Sequence, residues 1–211
     1  MCRPDHSERR GVFRTLRPLL LASRSPRRRE LLKALGISFE VLPAQGEERP
    51  YQGEGPARYA LELAYAKARE VASLAPGKVV LAADTIVVSA EEILGKPKDE
   101  AEAKRMLSLL SGREHEVLTA YVILDGAEER RRVVSTRVLF KELCAEEVEA
   151  YLATGEPWDK AGAYAIQGIA SYMVKEVHGS VTNVIGLPLA EVTEDLLKLG
   201  VIAWERPDGD R

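Results

Sequence analysis

A short apolar run that passes directly into an arginine-rich helix start constrains this chain more than any other feature. Residues 19–22 predict a buried strand, and residues 26–35 predict a helix with Ser25 as its N-cap and Pro26 in its first turn. In α/β proteins such a junction lies at the carboxyl edge of a sheet, where ligands usually bind. The sequence therefore predicts an α/β fold with a ligand site at this junction.

Arg27, Arg28 and Arg29 fill the first turn of that helix, where acidic side chains are usually preferred. Free backbone N–H groups and guanidinium groups both match phosphate oxygens, so the segment favours an anion site. The helical wheel places Arg28 in the middle of the buried stripe and the other two arginines on its flanks. We expect Arg28 to point inward and Arg29 to be the most solvated of the three; a wholly solvated basic helix is the alternative.

Composition limits the class of protein. The 211 residues, 45% of them hydrophobic, suffice for one large domain or two closely packed lobes. The formal net charge of −3 argues against a partner made of nucleic acid, and no apolar run approaches the roughly 20 residues that cross a bilayer. The cysteines, Cys2 and Cys144, have neither metal-ligand nor disulfide spacing, which favours a reducing, cytoplasmic location.

Predicted strands and helices alternate along the chain. The expected strands are 19–22, 38–42, 79–88, 93–94, 116–124, 131–140 and 172–177, and the expected helices are 26–35, 56–73, 99–112, 145–153 and 188–199. Because the Asp125-Gly126 hairpin signal occurs beside crossover helices, the sequence predicts an α/β fold with a mixed sheet. We expect residues 1–17 to be a flexible N-terminal extension and 18–205 a single domain of two packed lobes around a cleft.

Two charged residues interrupt apolar patterns. Asp84 lies inside the strand predicted at 79–88, where a carboxylate costs several kcal/mol unless it is paired, protonated or bound to a metal. The alternative is an Asp at a bulge that binds backbone amides. Lys67 falls near the centre of the apolar arc of helix 56–73, although its ammonium can also snorkel to the helix edge. The position of Asp84 favours a functional carboxylate.

Further polar groups suit a phosphorylated ligand. Lys96 lies in a rigid turn and is either functional or plain surface. Lys160 and Gln167 lie among small residues and glycines, which let a backbone approach a ligand closely, and the Gln167 amide can read a base edge. Glu47 and Glu48 can share a divalent cation with Asp84. Oxygen ligands beside phosphate favour Mg²⁺ or Mn²⁺, and the sequence has no Walker A motif.

Taken together, these segments resemble the Maf family of nucleoside triphosphate pyrophosphatases from about Leu19 to Leu199. Each motif is weak alone, whereas the set in this order is highly specific. The motifs are Ser23-Arg24-Ser25-Pro26-Arg27-Arg28, Ala83-Asp84-Thr85, Gly95-Lys96-Pro97, Leu110-Ser111-Gly112 with His115, Lys160-Ala161-Gly162-Ala163-Tyr164, Ile166-Gln167-Gly168 and Gly186-Leu187-Pro188.

This resemblance implies an elongated mixed sheet flanked by helices, similar to that of inosine triphosphate pyrophosphatases, and a homodimer. It implies metal-dependent hydrolysis of a nucleoside triphosphate to the monophosphate and pyrophosphate. The Ala-Gly-Ala-Tyr and Ile-Gln-Gly sequences resemble the branch that acts on dTTP and UTP more than the branch that acts on 7-methyl-GTP. A nucleotide-binding regulator of septum formation is the alternative from another class.

Matching the motifs residue by residue implies roles for individual side chains. Asp84 matches the catalytic proton acceptor, and Glu47 matches an acidic residue of the metal site. Phosphate contacts are implied for Ser23, Arg27, Lys67 and Lys96, and substrate choice is implied for Arg27, Thr85 and Gln167. From the residues themselves we add Arg28 and Lys160 to the substrate-binding set. The segment 44–46 departs from the family by lacking an acidic run, and Ala165 departs by replacing a usual glycine.

Overall fold

The computed structural model of the chain describes residues 11–205, so Cys2 and much of the expected N-terminal extension lie outside the described part. The strands are β1 (Phe13–Thr15), β2 (Leu19–Leu21), β3 (Glu40–Val41), β4 (Val79–Ser89), β5 (Glu92–Leu94), β6 (Glu114–Asp125), β7 (Glu128–Phe140), β8 (Val174–His178) and β9 (Ile202–Trp204). The helices are α1 (Pro26–Ala34), α2 (Pro56–Leu74), α3 (Glu100–Leu110), α4 (Ala145–Ala153), α5 (Val181–Ile185) and α6 (Leu189–Lys198). Short 3₁₀ helices follow α4 at Glu156–Asp159, Ala161–Ala163 and Ile169–Met173.

Seven of these strands form one mixed sheet in the order β3-β2-β4-β6-β7-β8, with β5 paired to β4. β2 is parallel to both β3 and β4, whereas the other pairs are antiparallel. β6 and β7 form the hairpin that Asp125-Gly126 predicts, and Gly126 has a φ of +59°, which glycine adopts easily. The predicted α/β fold with a mixed sheet is confirmed.

Helices cover both faces of the sheet at β4, so the side chains of this strand are buried on both faces. Alternate side chains of a strand point to opposite faces. Leu81 and Ala83 pack in one cluster with Leu32 of α1 and with residues of α6, whereas Val80 and Ala82 pack in another with α2. A third cluster joins α3 and α4 to the ends of β6 and β7. The cluster that contains Leu32 packs α1 against β2 and β4, and so positions the start of α1 at the edge of the sheet.

The junction between β2 and α1 has its predicted form. β2 is buried along its whole length, and α1 begins at Pro26. Ser25 Oγ accepts a hydrogen bond from the backbone N–H of Arg28 at 3.4 Å, as expected of an N-cap. The first turn of α1 contains no acidic residue. The positive end of the helix therefore lies at the carboxyl edge of β2, together with its arginines.

Two local expectations differ from the structure. Residues 13–15, expected within the flexible extension, form β1, which pairs antiparallel with β9. Phe13 is 7% exposed and its ring centroid lies 4.8 Å from that of Trp204. The sequence did not indicate this contact because the N-terminal segment as a whole is polar and basic. The strand predicted at 172–177 begins only at Val174, because the residues before it form a 3₁₀ helix.

The longest helix of the described part is α2, with 19 residues. Its outer face carries exposed charges, such as the ion pair between Arg58 and Glu62 one turn apart. Within residues 11–205, no helix is both long enough and apolar enough to cross a membrane. That residues 18–205 form one domain of two packed lobes stays a prediction.

Candidate active site

A cleft of about 480 Å³ opens at the carboxyl edge of β2, between the start of α1, the loop before α2, the middle of β4 and the segment after α4. Nine of the ten site residues predicted from the sequence line it, and Glu47 does not. The nine are Ser23, Arg27, Arg28, Lys67, Asp84, Thr85, Lys96, Lys160 and Gln167. Residues spread over much of the chain therefore meet in one place.

The floor of the cleft carries a buried carboxylate paired with a lysine. Asp84 lies in the middle of β4 and is 8% exposed. Its Oδ1 accepts a hydrogen bond from Lys67 Nζ at 2.5 Å, and the same ammonium donates to Glu48 Oε1 at 2.6 Å. Burial raises the pKa of the Asp84 carboxyl, whereas the charges of Lys67 and Arg28 oppose that rise. The two residues that interrupt apolar patterns in the sequence are thus partners.

The loop before α2 enters the cleft through Glu48 rather than Glu47. Desolvation favours the neutral form of Glu48, but the hydrogen bond and charge of Lys67 outweigh it and lower the pKa of Glu48. Glu47 is exposed and lies outside the lining of the cleft. The sequence offers both residues as possible metal ligands, because two adjacent residues of the same type cannot be distinguished by pattern, and the family resemblance implies Glu47. Of the two, only Glu48 lines the cleft and binds Lys67. A metal role for Glu47 stays a prediction.

Arg28 points inward, as predicted, but the protein itself uses most of its guanidinium. The Nε–H donates to the carbonyl of Gly186 at 2.7 Å, and Nη1 donates to the carbonyl of Ala83 at 2.8 Å. Nη1 also donates to Ser23 Oγ, and Nη2 donates to Thr85 Oγ1, both at 3.0 Å. Burial lowers the pKa of Arg28. These bonds join α1, β4 and the turn after α5, which favours a role in shaping the cleft over the substrate contact predicted for this residue.

The remaining predicted cations surround the opening. Arg27 Nη1 lies 3.8 Å from an oxygen of Asp159. Lys160 forms an ion pair with the same carboxylate, and its Nζ donates to the carbonyl of Glu156 at 2.7 Å. Lys96 is exposed in its turn. The cleft is therefore lined by positive charge contributed by several elements.

Tyr164 forms an uncharged part of the wall and is held from behind by His115. Tyr164 Oη and His115 Nε2 share a hydrogen bond of 2.8 Å. The His115 ring packs edge-on against Tyr164 and Phe140, with ring centroids 5.4 and 5.0 Å away. Burial lowers the pKa of His115 to about 4, so the imidazole is neutral near pH 7. This buried, neutral cluster supports the Tyr164 wall of the cleft.

Two carboxylates that the sequence reasoning missed hold the loops beside the cleft. Glu70 of α2 accepts hydrogen bonds from the backbone N–H groups of Gln45 at 2.6 Å and Gly46 at 3.0 Å. Glu156 accepts from the first two N–H groups of the 3₁₀ helix at Ile169–Met173, at 2.8 and 3.1 Å. In the sequence both resemble ordinary surface glutamates. Gly168 is the one sequence feature that points to the Glu156 contact. A Cβ at this position would lie 2.1 Å from Glu156 Oε2, so only glycine leaves room for the carboxylate.

The carboxylates present suit a hard cation shared with phosphate. Asp84 and Glu48 place two carboxylates around one point, the Lys67 ammonium. Among residues 11–205 no group of three or more His, Cys, Asp or Glu side chains is arranged to hold a metal. Mg²⁺ is usually bound by one or two carboxylates together with substrate phosphates. Asp84 and Glu48 thus offer the oxygen ligands that Mg²⁺ and Mn²⁺ prefer, at a point where the Lys67 ammonium lies in this structure.

The chain is similar to known proteins over most of its length. The family model described as Maf-like protein matches residues 18–199. A dTTP/UTP pyrophosphatase from Anaeromyxobacter dehalogenans is 53% identical over 194 residues, which are 90% of this chain and 98% of the relative. Relatives of the same name from Citrifermentans bemidjiense and Geobacter sulfurreducens are each 52% identical over 186 residues, which cover 87% of this chain and 96% and 97% of the relatives. The match spans all the cleft residues described above, and the chain belongs to the Maf family.

Proposed function

We propose that this chain hydrolyses dTTP and UTP to the nucleoside monophosphate and pyrophosphate. Relatives that are 52–53% identical over nearly their whole length bear the name of this activity. The observation that carries the proposal is the pairing of Asp84 with Lys67 at the floor of a cationic cleft. A buried carboxylate beside several cations is suited to handling water next to a polyphosphate.

The cations supply the binding of the triphosphate. Charge-assisted hydrogen bonds to phosphate oxygens are among the stronger polar contacts in proteins, and they strengthen as charge develops on the leaving group. The cations in position for this are Arg27, Lys67, Lys96 and Lys160, and the Ser23 hydroxyl lies beside them. The free N–H groups at the start of α1 add to the same positive end. Arg28 stabilises the floor of the cleft through its hydrogen bonds to Gly186, Ala83 and Thr85.

Asp84 orients or deprotonates the attacking water in this proposal. The water attacks the α-phosphorus in line, the bond between the α-phosphorus and its bridging oxygen breaks, and pyrophosphate leaves. Lys67, which donates to Asp84, favours the ionised carboxylate and opposes the rise in its pKa that burial causes. Glu48 binds the same ammonium and so fixes the geometry of the pair.

A divalent metal is part of the proposed activity. Asp84 and Glu48 are the residues that would hold Mg²⁺ or Mn²⁺, with phosphate oxygens completing its ligands. A metal bound there would supply positive charge that stabilises negative charge on the phosphate oxygens.

The uncharged part of the cleft suits the base. Thr85 and Gln167 contribute polar groups there, and Tyr164, Ile166 and Val184 contribute apolar surface. A site built to hydrogen-bond a keto pyrimidine rejects bases that lack the matching donors and acceptors. We assign base recognition to Thr85 and Gln167. The predicted homodimer and the predicted cytoplasmic location belong to the same proposal.

Pyrophosphate release tests the proposed function. Purified full-length protein is assayed with Mg²⁺ or Mn²⁺ on dTTP, UTP, CTP, dCTP, ATP, GTP and 7-methyl-GTP. Release from dTTP and UTP above all others is the expected result. Preference for 7-methyl-GTP would keep the chemistry and overturn the substrate assignment, and tight nucleotide binding without release would favour a regulator. Light scattering of the same sample tests the homodimer.

A further inference from the structure

A series of hydrogen bonds runs from the cleft floor along one face of the sheet, from β4 to β6. Arg28 Nη2 donates to Thr85 Oγ1 at 3.0 Å, and Thr85 Oγ1 lies 2.9 Å from Thr119 Oγ1 on the neighbouring strand β6. Thr119 Oγ1 in turn donates to the backbone carbonyl of Asn183 at 2.9 Å. Thr119 is 0% exposed and is not part of the cleft lining, whereas Thr85 lines the cleft.

The two end groups of this hydrogen-bond series, the Arg28 guanidinium and the Asn183 carbonyl, fix the direction of every hydrogen bond between them. A guanidinium can only donate and a carbonyl can only accept, while each threonine hydroxyl has a single proton. Thr119 uses its proton on the Asn183 carbonyl, so the bond between the threonines has Thr85 as its donor. The Thr85 proton therefore points into the protein. Towards the cleft, Thr85 has a lone pair to offer and no donor.

We propose that Thr119 is a positioning residue for base selection, because it sets Thr85 as an acceptor for the substrate. This inference rests on the proposed function. In uridine and thymidine nucleotides the donor on the base is N3–H, and the other polar edge atoms are keto acceptors. Cytosine has a lone pair at N3 instead. An acceptor-only Thr85 placed at N3 binds uracil and thymine and opposes cytosine, since two lone pairs cannot share a hydrogen bond.

Thr119→Val tests this inference. Valine has nearly the size of threonine, and the Asn183 carbonyl keeps its hydrogen bond from the N–H of Gly186 at 3.0 Å, so no buried carbonyl loses its last partner. The substitution removes the acceptor for the Thr85 proton, which becomes free to turn to the cleft and donate to N3 of cytosine. We expect the ratio of kcat/KM for UTP to that for CTP to fall by about five- to tenfold, roughly the worth of one hydrogen bond.

Two further variants separate proton direction from loosening of the fold. Thr119→Ser keeps the hydroxyl and is expected to restore the wild-type ratio. Thr136→Val removes another buried hydroxyl from the same network, one that binds Asn183 Nδ2 at 2.9 Å but does not contact Thr85. We expect Thr136→Val to leave the UTP/CTP ratio unchanged, even if thermal unfolding shows lower stability.

The outcomes distinguish this inference from the proposed function. An unchanged ratio in Thr119→Val, or an equal fall in Thr136→Val, overturns the role of Thr119 while pyrophosphatase activity stands. Wild-type protein that releases no pyrophosphate from UTP or dTTP overturns the proposed function itself. If Thr119→Val does not fold, Thr85→Val serves in its place. It is expected to lower kcat/KM for UTP about tenfold more than for CTP, and an equal loss on both overturns the inference.

Discussion

Lys67 Nζ lies 2.5 Å from Asp84 Oδ1 and joins the middle of α2 to the central strand β4. Each residue is unfavourable in its apolar surroundings without the other, because a buried unpaired charge costs several kcal/mol. The pair is thus a structural unit as well as the proposed chemical centre. Substitutions in and around it give direct tests of the site.

Asp84→Asn removes the proposed acceptor of the water proton and keeps the shape of the side chain. We expect kcat for dTTP to fall by about 10²–10⁴-fold, the usual contribution of a positioned base. Steady-state pyrophosphate release measures the change. Asp125→Asn is the matched control, because that carboxylate is paired with Arg17 outside the cleft. Near wild-type activity in Asp84→Asn would remove Asp84 from the mechanism.

Glu48→Gln and Glu47→Gln test which acidic residue of the loop serves the cleft. Both residues are exposed, but Glu48 lines the cleft and binds Lys67, whereas Glu47 lies outside the lining. We expect Glu48→Gln to lower kcat/KM by about ten- to a hundredfold, the worth of a hydrogen bond to a charged group. Glu47→Gln should leave kcat/KM within about twofold of wild type. The reverse pattern would restore the prediction made from the sequence.

Arg28→Lys is expected to destabilise the fold. A lysine offers one point charge in place of a planar fork, so most of the four hydrogen bonds of Arg28 are lost. We expect the free energy of unfolding in urea to fall by about 2–4 kcal/mol, given a typical worth of about 1 kcal/mol per bond. Arg29→Lys, one residue along the same helix and outside the cleft lining, should change it little. Equal stability of the two variants would contradict this role for Arg28.

Glu156→Gln is expected to loosen the segment that carries Gln167. The carboxylate accepts from two backbone N–H groups and from Tyr151 Oη, and a glutamine amide cannot accept all three. We expect a loss of about 1–3 kcal/mol in unfolding free energy and a KM for UTP that rises more than kcat falls. Hydrogen exchange of residues 167–170 should quicken. Glu149→Gln, exposed on α4, is the control, and identical exchange in both variants would refute the role of Glu156.

The stability of the protein should depend on pH through His115. Its pKa is about 4 in the fold and 6.5 in the unfolded chain, so the unfolded state binds the proton more readily. The stability linked to this group is complete above pH 6.5 and is lost as pH falls towards 4, by about 3 kcal/mol in total. His115→Gln should remove this part of the pH dependence of urea unfolding. His178→Gln, at an exposed histidine, should keep it. A wild-type slope in His115→Gln would show that other groups cause the effect.

Local sequence pattern predicted much of the fold because caps and hairpin turns depend on residues that are close together in the sequence. The N-cap at Ser25 is set within one helical turn, and the Asp125-Gly126 hairpin within one turn of chain. β1 escaped detection because three residues around Phe13 give too short a pattern, and only pairing with β9 makes them a strand. Elements of this kind depend on partners that the sequence does not reveal.

The residues of the candidate site could be singled out from the sequence, whereas their contacts could not. Sequence pattern is enough to identify the residues that are energetically costly in their surroundings, namely Asp84 in an apolar strand and arginines at the positive end of a helix. The partners of these residues are visible only in the folded structure. Arg28 binds the carbonyl of Gly186, 158 positions away, Lys67 binds Glu48 and not the adjacent Glu47, and Thr119 lies beside Thr85 on the neighbouring strand. Burial costs follow from local sequence pattern, whereas hydrogen-bond partners depend on which distant segments the fold brings together.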